Sequence, residues 1–499
     1  MAKKRTLKFY AENLFKGGAA LTLSEFSTKF IGFLLLPILT VYLSPKDYGI
    51  LSIFMMVQSI LNLFYNPGVL DATQRLYYGT KDKSRRQELV GSSFVFFLTL
   101  PLSIAFISFL FGEQIFSTFF NDFPFLPYGL MALIFSVFSQ PIKTWRFLLM
   151  SHYRTNKLAL VTFSKYLLSV LLALLFIIGL KMGAMGRIIG MMIGGVALFT
   201  VSFIDVIKFT KKFSFRTIKE ILQLGSPLIF ATWSYFLLKI GDRYILERLT
   251  NMDIVGIYSL GYKIASIPLL LTAGLRHVWR PIFFENMQNE KHKNISKLST
   301  YFVFVIITFV SVTILFSQEV FTLLINQRYI SGLKIIPWVS SGSLFLVFLT
   351  IFNPILEYEK KYGRIAIYAS IAAVLNIVLN ILFIPKFGMM GAAVSTFVCY
   401  LIYLVQVIFS TKKYIAILFE VKDSLIILIF FGLSVVLHYL LRSTEFNLLY
   451  FLIRVTFVIS WIAISIYTDL LPRKGLKYIF KIIKRKGKQI KDAVYNSKK

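Results

Sequence analysis

Apolar runs of about twenty residues recur along the whole chain, separated by short polar or Pro/Gly-containing breaks. A helix rises 1.5 Å per residue, so each such run is long enough to cross a hydrocarbon core about 30 Å thick. The pattern predicts fourteen spans, near 17–43, 47–66, 89–111, 125–149, 158–180, 184–207, 221–245, 254–281, 298–318, 333–356, 365–384, 389–410, 423–441 and 448–468. The fold class is therefore an all-α polytopic membrane protein. Loops are short, and no soluble domain is expected on either face.

Composition supports that reading. Of 499 residues, 57% are hydrophobic and 16% charged, against about 25% charged in soluble domains. The opening MAKKRTLKFYAENLFKGG does not read as a cleavable signal, because a polar stretch follows its basic residues and the next apolar run carries Glu25 and Lys29. The single cysteine, Cys399, excludes a disulfide framework and a cysteine-built metal cluster. No cofactor or metal is implied, and the absence of a GxxxxGK[ST] loop argues against an ATP-driven engine.

The formal charge is +32, from 55 basic and 23 acidic residues. With the N-terminus in the cytoplasm, the internal loops and termini carry about 36 Lys and Arg and the external ones about seven. That asymmetry is a topology signal. It places both termini in the cytoplasm and assigns the basic loops to membrane lipids, not to nucleic acid. The tail 472–499, with apolar residues among its lysines, reads as an amphipathic segment on the inner leaflet.

The chain also repeats. "LKMGAMGRIIG" (180–190) matches "PKFGMMGAAVS" (385–395), with Lys181, Gly183, Met185 and Gly186 falling on Lys386, Gly388, Met390 and Gly391, an offset of 205. "LSPKDYGILS" (43–52) matches "LTNMDIVGIYS" (249–259) at an offset of 206 with one inserted residue. Two matches at nearly one offset predict a parallel duplication of a six-span unit. The expected organisation is an N-lobe at 1–207, a C-lobe at 208–410, two added spans at 411–471 and the basic tail. Parallel repeats of this kind build transporters whose substrate site lies between the halves.

Polar residues inside the spans supply the candidate chemistry. Glu25, Thr28, Lys29 and Gly32 share one helical face, with Glu25 placed to pair with Lys29. Gln58, Asn62 and Asn66 form a stripe in the second span, and Asn376 and Asn380 lie in the eleventh. Such amides serve either as substrate contacts or as glue between helices. Lys165 lies in the fifth span. Lys239, Asp242 and Arg243 lie in the seventh, the last two near its outer end. Lys263 lies mid-span in the eighth beside Ser259, Tyr262 and Ser266, before Pro268 interrupts the helix; Arg276 and Arg280 follow towards its cytoplasmic end. Asp47 and Asp253 are expected to cap helices. Lys29 and Lys263 are on the order of 15–20 Å deep, too far for easy snorkelling. A lysine at that depth costs roughly 2.5–3.5 kcal/mol, and a positive cavity would attract a phosphate-bearing cargo. A transporter for an anionic substrate is the expected function, not an enzyme.

The stretches "LTVYLSPKDYGILSIF" (39–54), "GDRYILERLTNMDIVGIYSLGYKIASIP" (241–268) and "NIVLNILFIPKFGMMGAAVST" (376–396) resemble the polysaccharide (O-antigen/Wzx-type) flippases of the multidrug/oligosaccharidyl-lipid/polysaccharide (MOP) exporter superfamily. The resemblance implies two lobes in alternating access, in a bacterial or archaeal plasma membrane. The implied cargo is an undecaprenyl-pyrophosphate-linked oligosaccharide, whose tail runs in lipid along the last two spans. It implies that Lys29 and Lys263 meet the pyrophosphate, where related lipid II flippases tend to carry arginine, so a point charge replaces a bidentate grip. Arg276, Arg280, Lys239, Arg243, Lys165, Gln58 and Asn62 complete the expected substrate set. Coupling to H+ or Na+ is implied, with Glu25 and then Asp242 as carboxylates, and polysaccharide polymerase machinery is an implied partner. Two alternatives stay in the same superfamily: a peptidoglycan lipid II flippase and a MATE-like drug exporter. A sugar-joining polymerase or ligase would need larger external loops.

Overall fold

The expected spans form because their apolar residues leave the backbone no hydrogen-bond partner in lipid except itself, and helix is the local solution. The computed structural model describes residues 7–225, 240–414, 421–443, 446–468 and 470. All its extended elements are helical among these residues. In chain order they are α1 (Leu7–Leu34), α2 (Leu36–Tyr42), α3 (Pro45–Tyr65), α4 (Val69–Gly79), α5 (Lys83–Phe119), α6 (Leu130–Ser139), α7 (Ile142–Ser151), α8 (Thr155–Leu174), α9 (Gly183–Phe209) and α10 (Phe215–Gly225). After a helical stretch at 240–249 come α11 (Met252–Ala265), α12 (Leu269–Gln288), α13 (His292–Leu315), α14 (Ser317–Leu324), α15 (Ile336–Tyr358), α16 (Tyr362–Phe387), α17 (Met389–Thr411), α18 (Val421–Leu440) and α19 (Leu448–Tyr467).

Eleven helices among the described residues are long and apolar enough to cross a membrane, or twelve with one bent pair. The bent pair is the first span: Leu23–Leu34 and Leu36–Tyr42 meet at 43°. Pro37 starts the second piece, where its missing N–H is harmless but the ladder behind it is broken. The seventh expected span, 221–245, falls largely on 226–239, outside the described residues. The eighth, 254–281, is two helices, because Pro268 ends the α11 ladder and α12 begins after it. The carbonyl of Ala265, freed by the break, accepts from Ser340 Oγ at 3.0 Å.

By packing, the chain divides into two units: Met1–Gly261 with Leu324–Gly332 and Ala369–Cys399, and Tyr262–Leu323 with Leu333–Tyr368 and Tyr400–Lys499. In the first unit α8 and α9 approach closely along Gly186, Gly190 and Gly194. A Cβ on Gly190 would sit 2.7 Å from the Ala173 nitrogen, and one on Gly194 would sit 1.9 Å from Ser169 Oγ. Small residues let helices meet in lipid, where apolar burial gives no drive between them. At the two repeat-matched turns, Gly183 and Gly388 share a left-handed φ of +52° and +55°, a conformation that favours glycine. Asp47 locks the first turn: it completes a capping box with Ser44 and accepts from the Ala184 N–H at 2.8 Å. Asp253, expected to cap likewise, is exposed; Asn251 takes that role by accepting from the Ile254 N–H at 3.0 Å.

In the second unit the last two spans are fixed by Trp461. Its ring stacks on Phe430 at 4.0 Å between centroids, and its indole N–H donates to Thr308 of α13 at 2.9 Å. A buried ion pair joins Arg454 of α19 to Glu319 of α14, and Arg454 also donates to Gln318 at 3.1 Å and to the Leu441 carbonyl at 2.8 Å.

Candidate functional site

The first unit brings several span cations to one region. Lys165 of α8 and Arg187 of α9 lie close enough to repel each other, and the phenols of Tyr166 and Tyr48 sit near Arg187. On α1, a Cβ added to Gly32 would lie 3.1 Å from the Tyr166 hydroxyl, so this stripe of α1 faces α8. Lys29 is one turn earlier on the same stripe, and its side chain is exposed. Nearer the other end of α3, Lys143 Nζ is bonded to Asn62 Oδ1 and lies 5.4 Å from the Phe97 ring centroid. Tyr48 and Asn62 are fourteen residues apart on α3, roughly 20 Å along its axis. The cations thus occupy different depths of the membrane.

Their surroundings matter as much as their positions. Among the described residues, none of Lys29, Lys143, Lys165 and Arg187 has a carboxylate within salt-bridge distance. The expected Glu25–Lys29 pair is therefore not made. Both side chains are exposed, and an undesolvated pair gains little to hold two long side chains in one geometry.

The other expected residues are distributed differently. Lys263 is exposed near the end of α11 and belongs to the second unit. Arg280, also in the second unit, is engaged: its Nε lies 2.8 Å from Glu357 and its guanidinium 6.0 Å from the Phe284 ring. Asp242 is buried, at 3% exposure, accepting from the Tyr258 hydroxyl at 2.5 Å and pairing with Arg243 at 3.2 Å. Gln58 works as helix glue, bonded to the Ala132 carbonyl of α6 and accepting from Ser136 at 3.1 Å. Asn376 and Asn380 are fully buried and bonded to each other at 3.0 Å, with Asn376 beside Cys399. Lys239 and the side chain of Arg276 lie outside the described residues.

Lys143 and Arg187 escape the sequence reading because each lies towards the end of its span, where a basic residue normally means a headgroup contact. The usable signal for Lys143 was the break at Gln140–Pro141, which turns the following helix.

At the lysine-poor end, the matched stretches 43–52 and 249–259 touch each other. Gly49 of α3 and Gly256 of α11 face each other's backbone: a Cβ on Gly49 would lie 2.0 Å from the Met252 carbonyl, and one on Gly256 would lie 1.9 Å from the Pro45 carbonyl. One turn further, Ser52 and Ser259 share a hydrogen bond of 2.6 Å. At the same end, Glu247 accepts from the Asn121 and Asp122 N–H groups at 2.7 Å each. Tyr329 donates to the Leu43 carbonyl at 2.8 Å. Residues before 207 and after 240 are thus tied together at this end by glycine contacts, hydrogen bonds and the ring contacts Tyr48–Tyr329 and Phe120–Tyr244.

Residues 14–287 match the family described as polysaccharide biosynthesis protein. An uncharacterized membrane protein of Methanocaldococcus jannaschii is 24% identical over 218 residues, covering 41% of this chain and 42% of that relative. Among solved structures, the lipid II flippase MurJ in its inward closed conformation aligns with a TM-score of 0.70 at 19% identity, over 91% of this chain and 99% of that one. An inward-facing multidrug resistance MATE family transporter of the MOP superfamily aligns with a TM-score of 0.61 at 14% identity, over 77% and 94%. At these identities the structural likeness establishes the fold. The chain belongs to the polysaccharide biosynthesis protein family and carries the helical fold of the MOP superfamily transporters.

Proposed function

We propose that the protein flips an undecaprenyl-pyrophosphate-linked oligosaccharide from the cytoplasmic to the outer leaflet, by alternating access, for cell-surface polysaccharide synthesis. One observation carries this reading: four span cations of the first unit, Lys29, Lys143, Lys165 and Arg187, have no carboxylate partner among the described residues. A lysine in the hydrocarbon core costs roughly 2.5–3.5 kcal/mol without a counter-charge. A unit pair at 4 Å in a partly hydrated protein site recovers about 4 kcal/mol. A pyrophosphate passing these side chains supplies the missing anions, and the cations lower the barrier to moving it through the membrane.

The arrangement in depth suits a transit path. Lys143 sits towards one end of α3, beside Asn62; Arg187 sits towards the other, near Tyr48. Lys29 and Lys165 meet the head between them. The glycine contact between α3 and α11 is the closed end of the path, and separation there releases the head. Among the two proposed coupling carboxylates, Glu25 is favoured, because Asp242 is already held by Tyr258 and Arg243. A cation exporter would be served by carboxylates along this path, whereas the described residues set four cations there against Glu25. Likeness to a lipid II flippase supports the same headgroup chemistry with a different sugar.

The test is translocation in proteoliposomes of a fluorescent undecaprenyl-pyrophosphate oligosaccharide, with lipid II as the competitor. Faster movement of the oligosaccharide lipid supports the assignment; movement of lipid II alone replaces it with the peptidoglycan reading.

A further inference from the structure

A cavity of about 610 Å³ in the second unit is lined by Lys361 and Arg364 at the start of α16 and by Lys412 and Lys413 at the end of α17. Glu359 pairs with Lys361 at 2.7 Å and with Lys413 at 2.5 Å. Those two cations hold the Glu359 carboxyl well below its usual range, at about 2, so it stays ionised. Arg364 and Lys412 have no carboxylate within salt-bridge distance among the described residues. The side-chain oxygen of Gln406, on the same wall, is buried without a hydrogen-bond partner. A cavity with four cations and one anion lacks counter-charge.

The duplicated first half shows what is missing. At the 205-residue offset, Ser410 corresponds to Asp205. In the first half Asp205 neutralises its corner directly, bonding Lys157 at 2.7 Å and accepting from the Trp145 indole at 2.8 Å. In the second half Ser410 only shares a hydrogen bond with Tyr368. At the start of α16 the matching turns, with left-handed residues at Tyr153 and Lys360, set the offset at 207, so Lys361 and Arg364 stand where the first half has Arg154 and Lys157, while Lys412 matches the uncharged Ile207 at the offset of 205. The acid that neutralises Lys157 in the first half is thus replaced by a serine on the same wall as Arg364, around a space that nothing in the described chain fills.

We propose that this cavity binds the phosphate headgroup of an anionic phospholipid, at a site separate from the flipping path. Phe409, 71% exposed on the cavity wall, and Ile367, 57% exposed on the neighbouring helix, offer an apolar surface for the acyl chains. A soluble phosphate would not need that surface. The basic loops 359–364 and 410–414 belong to the lysine-rich side, where anionic headgroups concentrate.

Spin-labelled phosphatidylglycerol and phosphatidylcholine, added to the full-length protein in detergent micelles without cargo, provide the test. The wild type should retain phosphatidylglycerol preferentially. Ser410→Asp restores the acid of the first half without removing a cation, and should lower that retention at least tenfold. Arg364→Gln/Lys412→Gln should do the same, which keeps the test independent of how one variant folds. Ser84→Asp adds the same charge to another basic loop and should leave retention within twofold. Equal losses in Ser410→Asp and Ser84→Asp would reduce the effect to general surface charge and overturn the site. Unchanged retention in both cavity variants would overturn it too. Displacement by millimolar inorganic phosphate as effective as by unlabelled lipid would assign the cavity to a soluble anion and reject the lipid. Because no cargo is present, none of these outcomes depends on flipping.

Discussion

Gly256→Ala isolates the glycine contact at the lysine-poor end. The new methyl would lie 1.9 Å from the Pro45 carbonyl oxygen, whereas real Cβ contacts stay beyond about 3.0 Å, so α3 and α11 must part by about 1 Å. Overpacking of this kind costs about 1–3 kcal/mol. Loss of the 2.6 Å Ser52–Ser259 bond removes about 1 kcal/mol more. Only the closed arrangement bears this cost of about 2–4 kcal/mol, so the closed population should fall by roughly thirty-fold to nearly a thousand-fold. Cys399 is the single cysteine, so a Cys399→Ala background accepts Ser52→Cys and Ser259→Cys as a cross-linking pair. In that background the disulfide should form readily, and adding Gly256→Ala should slow it at least five-fold while the protein remains monodisperse. Net flipping should also fall, since a cycle biased to one state is slow to return. An unchanged cross-linking rate would refute the claim that this contact is a closed gate.

Arg454→Gln leaves Glu319 buried without its cation and should destabilise the protein by about 3–5 kcal/mol, read from denaturant unfolding in micelles. Replacing both partners, as Arg454→Met/Glu319→Gln, should recover most of that loss. Gln58→Leu should cost about 0.6–1.7 kcal/mol of stability through its α3–α6 bonds and change flipping less than two-fold. A flipping defect with normal stability would restore Gln58 to the transport path. The folded-state pKa of Glu359, about 2, lies below its unfolded value. Its contribution is therefore present above about pH 4.5 and lost as pH falls towards 2. The stability gap between wild type and Glu359→Gln should be constant above pH 5 and close on acidification; a gap that widened would contradict the ion-pair assignment.

The spans were legible because twenty-residue apolar periodicity is a local property, and the duplication because its turns need particular residues. Gly183 and Gly388 need a left-handed φ, and Gly49 and Gly256 need to touch a neighbouring backbone. The bends were less legible. Pro268 announced its break, but Pro37 sat inside an unbroken apolar run and signalled only that a bend was allowed. The site was half legible. Lys29 and Lys263 stood out by depth and Lys165 as a cation inside a span, yet Lys143 and Arg187 depend on Asn62 and Tyr48, partners that only the packing supplies. The same blindness acted in reverse for Arg280 and Gln58, whose ordinary helix-to-helix bonds to Glu357 and Ala132 join residues distant in sequence.

The central claim is that cations without carboxylate partners carry a pyrophosphate head across the membrane. The most direct test is the initial rate of undecaprenyl-pyrophosphate oligosaccharide flipping in proteoliposomes for wild type, Lys165→Ala, Arg187→Ala and the double variant. The account predicts at least a tenfold loss in each single variant and a near-complete loss in the double, with a neutral short-chain lipid probe moving equally slowly in all of them. Wild-type flipping rates in folded, reconstituted variants would contradict it.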